Sequence, residues 1–172
     1  MRIQFSADDI KLDVTKAAGG KFEPVLSTAR NGSVLIEFTR PELQGVLMAF
    51  AQAAAEEQKA KIESADLVLT QAGGKAVLAM LRVKARKMMM GVAVTVEGRA
   101  DFSDRLSVTL SNLKATGEGM VGSMVAGLLG GKLKEHEGKA FDLAPPALKN
   151  VRLHGLKVDA GDPLRITAAF ES

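Results

Sequence analysis

The sequence predicts an α+β fold: a strongly curved antiparallel β-sheet of about seven or eight strands wrapping two main α-helices, in one domain spanning residues 1–172. Three observations point to it. Most segments alternate apolar and polar residues with period two, the mark of strands buried on one face. Two segments, about Pro41 to Gln58 and Gly117 to Leu133, instead place apolar residues at helical spacing. The strands are separated by short glycine-containing turns, which favours a meander of antiparallel neighbours.

Taken in order, Ile10, Leu12 and Val14 alternate with Lys11, Asp13 and Thr15 and read as a half-buried strand. Gly19-Gly20 ends it, and Asn31-Gly32 carries a tight-turn signal. Val34, Ile36 and Phe38 mark a short strand. Thr39 then stands where an N-cap belongs, with Pro41 in the first helical turn. The first helix presents Leu43, Val46, Leu47, Phe50, Ala51 and Ala54, and its alanine content gives it high helix propensity. Ala65, Leu67 and Leu69 form the next strand before a Gly73-Gly74 turn. Val77, Ala79, Leu81, Val83 and Ala85 line one face of a long strand, opposite Arg82, Lys84 and Arg86. Val92, Val94 and Val96 follow, then Leu106, Val108 and Leu110. After the glycine-rich second helix come Val151, Leu153, Leu156 and Val158, a turn at Gly161-Asp162-Pro163, and Leu164, Ile166, Ala168 and Phe170.

Composition narrows the functional classes. With seven Phe and neither Tyr nor Trp, the core is aliphatic. A net charge of +3 is too slight for a typical nucleic-acid footprint, and the few rings offer no stacking platform, so no nucleic-acid partner is expected. The absence of cysteine excludes disulfides, thiolate zinc sites and cysteine nucleophiles. His136 and His154 are not spaced as metal ligands, no Ser-His-Asp set is suggested, and no metal or cofactor is expected. Residues 1–9 lack the apolar run of a signal peptide. With Met1 as the natural start the expected location is the cytoplasm, and export would follow only if a leader has been removed.

Gly117-x-Gly119-x-x-Gly122 matches the dinucleotide fingerprint letter by letter. Its context speaks against that chemistry. The preceding Leu106–Leu113 segment alternates, whereas a central parallel strand is apolar throughout, and Glu118 would face the pyrophosphate. A flexible helix entry is the favoured reading. Gly127 and Gly131 have helix-contact spacing, read first as close packing of the helix on its own sheet. Met88-Met89-Met90, Met48, Met80, Met120 and Met124 supply adaptable thioethers where aromatic rings are missing. Arg82, Lys84, Arg86 and Lys87 read as a solvated strand face, with attraction to an anionic membrane as the functional alternative.

The helix from Pro41 before strands, the block Leu106–Leu113 leading into Gly117–Leu133, and the ending Leu143-Ala-Pro-Pro-Ala-Leu-Lys-Asn-Val-Arg-Leu-His-Gly-Leu-Lys-Val together resemble the bacterial LmeA-like phospholipid-binding proteins and the wider tubular lipid-binding (TULIP-like) group. The resemblance lies in element order over roughly residues 33–170. It implies a curved sheet around a long helix, an apolar groove for acyl chains, and no catalytic residue. The expected function is therefore non-enzymatic binding of a lipid or acyl chain. Leu43, Val46, Leu47 and Phe50 of the first helix and Met120, Met124, Val125, Leu128 and Leu129 of the second would line the site. The competing expectation is an interaction protein with a solid core, acting as a homodimer through a sheet edge or the glycine-rich helix.

Overall fold

A computed structural model describes residues 1–16, 20, 22–57, 60–87, 90–144 and 151–171, with the side chains of residues 23, 50, 53–57, 87 and 171 outside that description. The Met88-Met89 pair and the Pro145-Pro146 segment lie outside the described residues. The chain runs β1 (Arg2–Lys16), β2 (Phe22–Phe38), α1 (Arg40–Glu57), β3 (Lys61–Gln71), β4 (Ala76–Lys87), β5 (Met90–Phe102), β6 (Ser107–Gly117), α2 (Gly119–Lys134), β7 (Ala140–Asp142), β8 (Arg152–Asp159) and β9 (Leu164–Glu171).

The architecture is α+β with antiparallel strands, as the alternation requires. The strands form two sheets, however, in place of the single curved one expected. Sheet order is β1-β2-β9-β8 in one and β3-β4-β5-β6-β7 in the other, and neither closes. The reason is long-range. After β2 the chain leaves through α1 instead of turning back into β3. Its last strand then returns to β2, pairing Gly32–Phe38 with Leu164–Phe170. Residues 61–142 are left as a meander whose final strand resumes after α2, with Ser107–Thr109 paired to Ala140–Asp142.

In β9 and β4 the faces fall as the period predicts. On β9, Leu164, Ile166, Ala168 and Phe170 are all buried, and on β4 the odd-numbered residues Val77 and Leu81 are buried while Arg82, Lys84 and Arg86 are exposed. The main core joins the inner face of the four-stranded sheet (Val34, Ile36, Leu156, Ile166, Phe170) to Val77 and Phe102 of the five-stranded sheet and to Leu106 in the turn between β5 and β6. The Val158 amide donates to the Gly74 carbonyl and the Ala160 amide to Gln71 Oε1, tying the sheets at their rims.

Two local expectations are corrected. Asn31-Gly32 is not a turn: β2 runs straight through it. Asn31 takes a positive φ of 48°, donates its side-chain amide to Asp8 Oδ2 at 3.1 Å, and sits where the β1–β2 register slips. Asn tolerates the left-handed region, so the same chemistry that makes tight turns also makes bulges. The strand carrying Ile10, Leu12 and Val14 is not half-buried: the three are 51%, 56% and 68% exposed. They belong to a two-stranded arm, since β2 pairs with β9 only from Gly32 onward.

Candidate functional site

The expected ligand-binding residues lie on the two helices, and both helices pack on the five-stranded sheet. α1 starts with a reciprocal cap. The Thr39 amide donates to Glu42 Oε2 at 2.9 Å and the Glu42 amide to Thr39 Oγ1 at 3.4 Å, which satisfies two otherwise orphaned donors. Glu42 also accepts from the Met1 ammonium. That ammonium and the Thr39 donors together hold the Glu42 carboxyl down to about 2. From this start α1 lies along β3, where Gln44 Nε2 donates to the Ala65 carbonyl at 2.6 Å. Leu43 and Leu47 are half-buried on its inner side, and Leu43 touches the main core.

α2 packs on β5 and β6, and its entry depends on glycines. Gly117 ends β6 so close to the helix that a Cβ there would overlap the Gly122 carbonyl group. Gly119 has φ +68°, and a Cβ on Gly122 would sit 3.0 Å from the Ala93 carbonyl oxygen, the same oxygen that accepts from the Glu118 amide. The Gly-x-Gly-x-x-Gly run is thus explained by backbone packing between β6, α2 and β5. Its strand β6 is antiparallel to both neighbours, so the βαβ setting of a dinucleotide site is missing. Beyond this entry, Gly122 and Ala126 are buried, and Val121, Val125 and Leu129 pack half-buried around Val92, Val94 and Ala126.

Between the helices runs the rest of the same sheet face. In register, Leu67, Leu81 and Val96 align across β3, β4 and β5, followed by Ala65, Val83 and Val94. Leu67 and Leu81 are buried, whereas Val83 and Ala85 are only half-buried. Leu43 and Leu47 of α1, Val125 and Leu129 of α2 and Val83 with Ala85 of β4 are half-buried aliphatic side chains, and the six bring no charge.

The expected site residues divide accordingly. Leu43, Leu47, Val125 and Leu129 turn toward this sheet face. Val46 is 59% exposed, and Met120, Met124 and Leu128 are 85%, 65% and 53% exposed on the outward side of α2. The Phe50 side chain lies outside the described residues. The physical reason is arc width. Positions 120, 124, 128 and positions 121, 125, 129 form two stripes about 100° apart on a 3.6-residue helix, and one sheet face receives only one of them. Gly127 and Gly131 are likewise turned away from the sheet: a Cβ on either meets nothing within 4 Å, which corrects the expectation that they pack against it.

A cleft of about 740 Å³ that the sequence did not announce opens at the other end of the five-stranded sheet, lined by Asp104, Arg105, Asp142, Arg152 and His154 among others. Lys75 Nζ contacts both Asp104 carboxylate oxygens at 2.7 and 2.8 Å and, as the main cause, holds that carboxyl below its usual range. The cleft lining mixes these charged side chains with Ala144, Val151 and Leu153. Among the described residues no group of three or more His, Cys, Asp or Glu side chains is placed to hold a metal ion. Among them, too, no helix is long and apolar enough to cross a membrane. No family model, curated protein or solved structure matches the chain.

Proposed function

We propose that the protein binds an apolar ligand, a lipid or single acyl chain, in the groove between α1, α2 and the β4–β5 floor, without catalysing a reaction on it. One observation carries this reading: among the described residues, Val83 and Ala85 of β4 and Val125 and Leu129 of α2 are only half-buried on the helix-covered part of the five-stranded sheet, beside buried Leu67 and Leu81. Among the described residues the main core holds fourteen buried side chains, whereas the cluster under α2 has three, Val92, Val94 and Ala126, ringed by half-buried aliphatics. Protein interiors normally pack densely, so half-buried Val83, Ala85, Val125 and Leu129 are surface on which an apolar ligand gains contacts.

Magnitude sets the ligand's size. Micromolar affinity requires about 8 kcal/mol. At about 0.8 kcal/mol per methylene removed from water, some ten methylenes must be sheltered even before association entropy is counted. That favours a long acyl chain over a small metabolite. The reading also accords with the resemblance of element order to LmeA-like and tubular lipid-binding proteins, although the strands form two sheets in place of one curved sheet.

Titration with a dansyl-labelled undecanoic acid tests the site. The wild type should enhance the dansyl emission saturably, and Ala85→Phe, which puts a ring on the groove floor, should weaken binding at least tenfold. Equal binding by both proteins would place the ligand elsewhere.

A further inference from the structure

Among the described residues β1 is an open edge: in the order β1-β2-β9-β8 it has β2 on one side and no strand on the other, and every residue from Lys11 to Lys16 is exposed. The part of β2 that it pairs with there is itself uncovered, because β9 joins β2 only from Gly32. A two-stranded ribbon by itself is marginal in water. The register sets Leu12 opposite Leu26 of the main core and Val14 opposite Pro24, so one face of the arm carries the core face outward. On that face Leu12, Val14 and Phe22 are 56%, 68% and 71% exposed. Charge is arranged about the same point. Lys11 and Asp13 flank Leu12 and lie opposite uncharged Thr28 and Val25, and among the described residues neither they nor Lys16 has an ion-pair partner. Edge strands commonly carry charge that repels a second strand, but opposite signs on either side of an apolar centre invite one.

We propose that β1 pairs edge to edge with β1 of a second copy, antiparallel about a two-fold axis at Leu12. In that register Leu12 meets Leu12, Ile10 meets Val14, and each Lys11 meets the other copy's Asp13. Farther out Asp8 meets Lys16, but Asp8 also accepts from Asn31 and lies beyond the register slip of β1, so the two Lys11–Asp13 pairs carry the charge match. Other registers fail. A slip of two residues opposes Lys11 to Lys11 one way and Asp13 to Asp13 the other, and like charges directly opposite are destabilising. A slip of one residue sets charged side chains against Leu12. The segment thus complements itself, as an isologous interface requires, whereas a membrane would have to accept Asp13 along with Lys11. The axis runs perpendicular to the sheet, so Leu12, Val14 and Phe22 of both copies share one side and the two four-stranded sheets become continuous. One strand pair belongs to the small-interface class, below about 1,200 Å², so the dimer is weak and exchanges rapidly. The inference goes beyond ligand binding and does not depend on it, because the arm belongs to the sheet that the helices do not cover.

Sedimentation velocity of the full chain from 1 to 200 μM at low salt tests it. The wild type should shift from monomer toward dimer over this range. Lys11→Asp and Asp13→Lys should each weaken self-association at least fivefold, since each sets two like-charge pairs across the axis. An equimolar mixture of these two variants should associate as the wild type does, because a mixed dimer regains both opposite-charge pairs. Their urea midpoints at low concentration should match wild type, the side chains being exposed and unpaired within the subunit, and high salt should narrow the differences in association. A wild type that is monomeric throughout, a single variant that associates normally, or a mixture that stays monomeric would each overturn the proposal. So would a monomer that floats with phosphatidylglycerol vesicles and loses that binding on Leu12→Asp, which would assign the arm to a membrane. Dansyl-undecanoic acid uptake by Lys11→Asp should match wild type, keeping failure of the strand pairing distinct from failure of the groove.

Discussion

Adding one methyl group at Gly117 should be among the more damaging changes this chain can suffer, although the residue is neither catalytic nor in the main core. A Cβ there overlaps the Gly122 carbonyl group, and even the Ser123 amide nitrogen lies 2.7 Å from it, where ordinary contact begins near 3.4 Å. These are backbone atoms and cannot rotate aside. The first turn of α2 must lift, which strains or breaks the Glu118 amide bond to the Ala93 carbonyl and loosens Ala126 from Val92 and Val94. Overpacking of this kind takes about 1–3 kcal/mol, and the lost hydrogen bond adds about 1 kcal/mol. Gly117→Ala should therefore lose about 2–4 kcal/mol, or roughly 4–16 °C in Tm for a chain of this length. Gly127→Ala is the control. Nothing lies within 4 Å of its Cβ, so it should gain up to about 1 kcal/mol from helix propensity alone. Urea unfolding by circular dichroism at low micromolar protein reads both. A Gly117→Ala as stable as wild type, or a destabilised Gly127→Ala, would refute the account of how α2 is seated.

Further expectations follow from the same structure. Glu137 accepts from the Asn112 and Leu113 amides at 2.7 and 2.9 Å, bracing the bulged strand β6 from beyond α2; Glu137→Ala should lose about 1–3 kcal/mol in the same urea assay. Ile166, fully buried between the sheets, should lose about 2–5 kcal/mol on truncation to Ala, whereas Met120→Ala should stay within about 0.5 kcal/mol of wild type at low concentration. Glu42, Asp101 and Asp104 all have carboxyls held below their ordinary values, by the Met1 ammonium and Thr39, by Arg99, and by Lys75 respectively. A lowered folded-state value means that the unfolded chain binds protons first, so the contribution is complete above the ordinary carboxylate range near 4.5 and is lost as pH falls toward 2. Thermal melts from pH 6 down to 2 should show Tm falling through that window, with a smaller fall in Glu42→Gln.

Strand faces were legible because period two reports burial directly: every residue from Leu164 to Phe170 falls on the side that its alternation assigns. The start of α1 was legible in Thr39 because capping is local chemistry. Strand partners were not, since alternation says which side of a strand is apolar but not whether β2 meets β3 or β9. That pairing is decided 130 residues away, and it separates one expected sheet into two. Spacing put Leu43, Leu47, Val125 and Leu129 on helix faces, and all four are half-buried, but α2 is apolar through an arc wider than any one sheet covers. Which stripe turns inward is settled by Gly117 and Gly122 at the helix entry. Residue type alone could not say that those glycines serve close packing while Gly127 faces open space.

The groove's occupancy is the central claim, and native mass spectrometry of the purified protein, followed by organic extraction and lipid analysis, tests it most directly. The account predicts a co-purified or readily loaded acyl species of more than about ten carbons at a fixed stoichiometry, lost in Ala85→Phe. A clean apo mass, unchanged on titration with fatty acid and phospholipid, would contradict it.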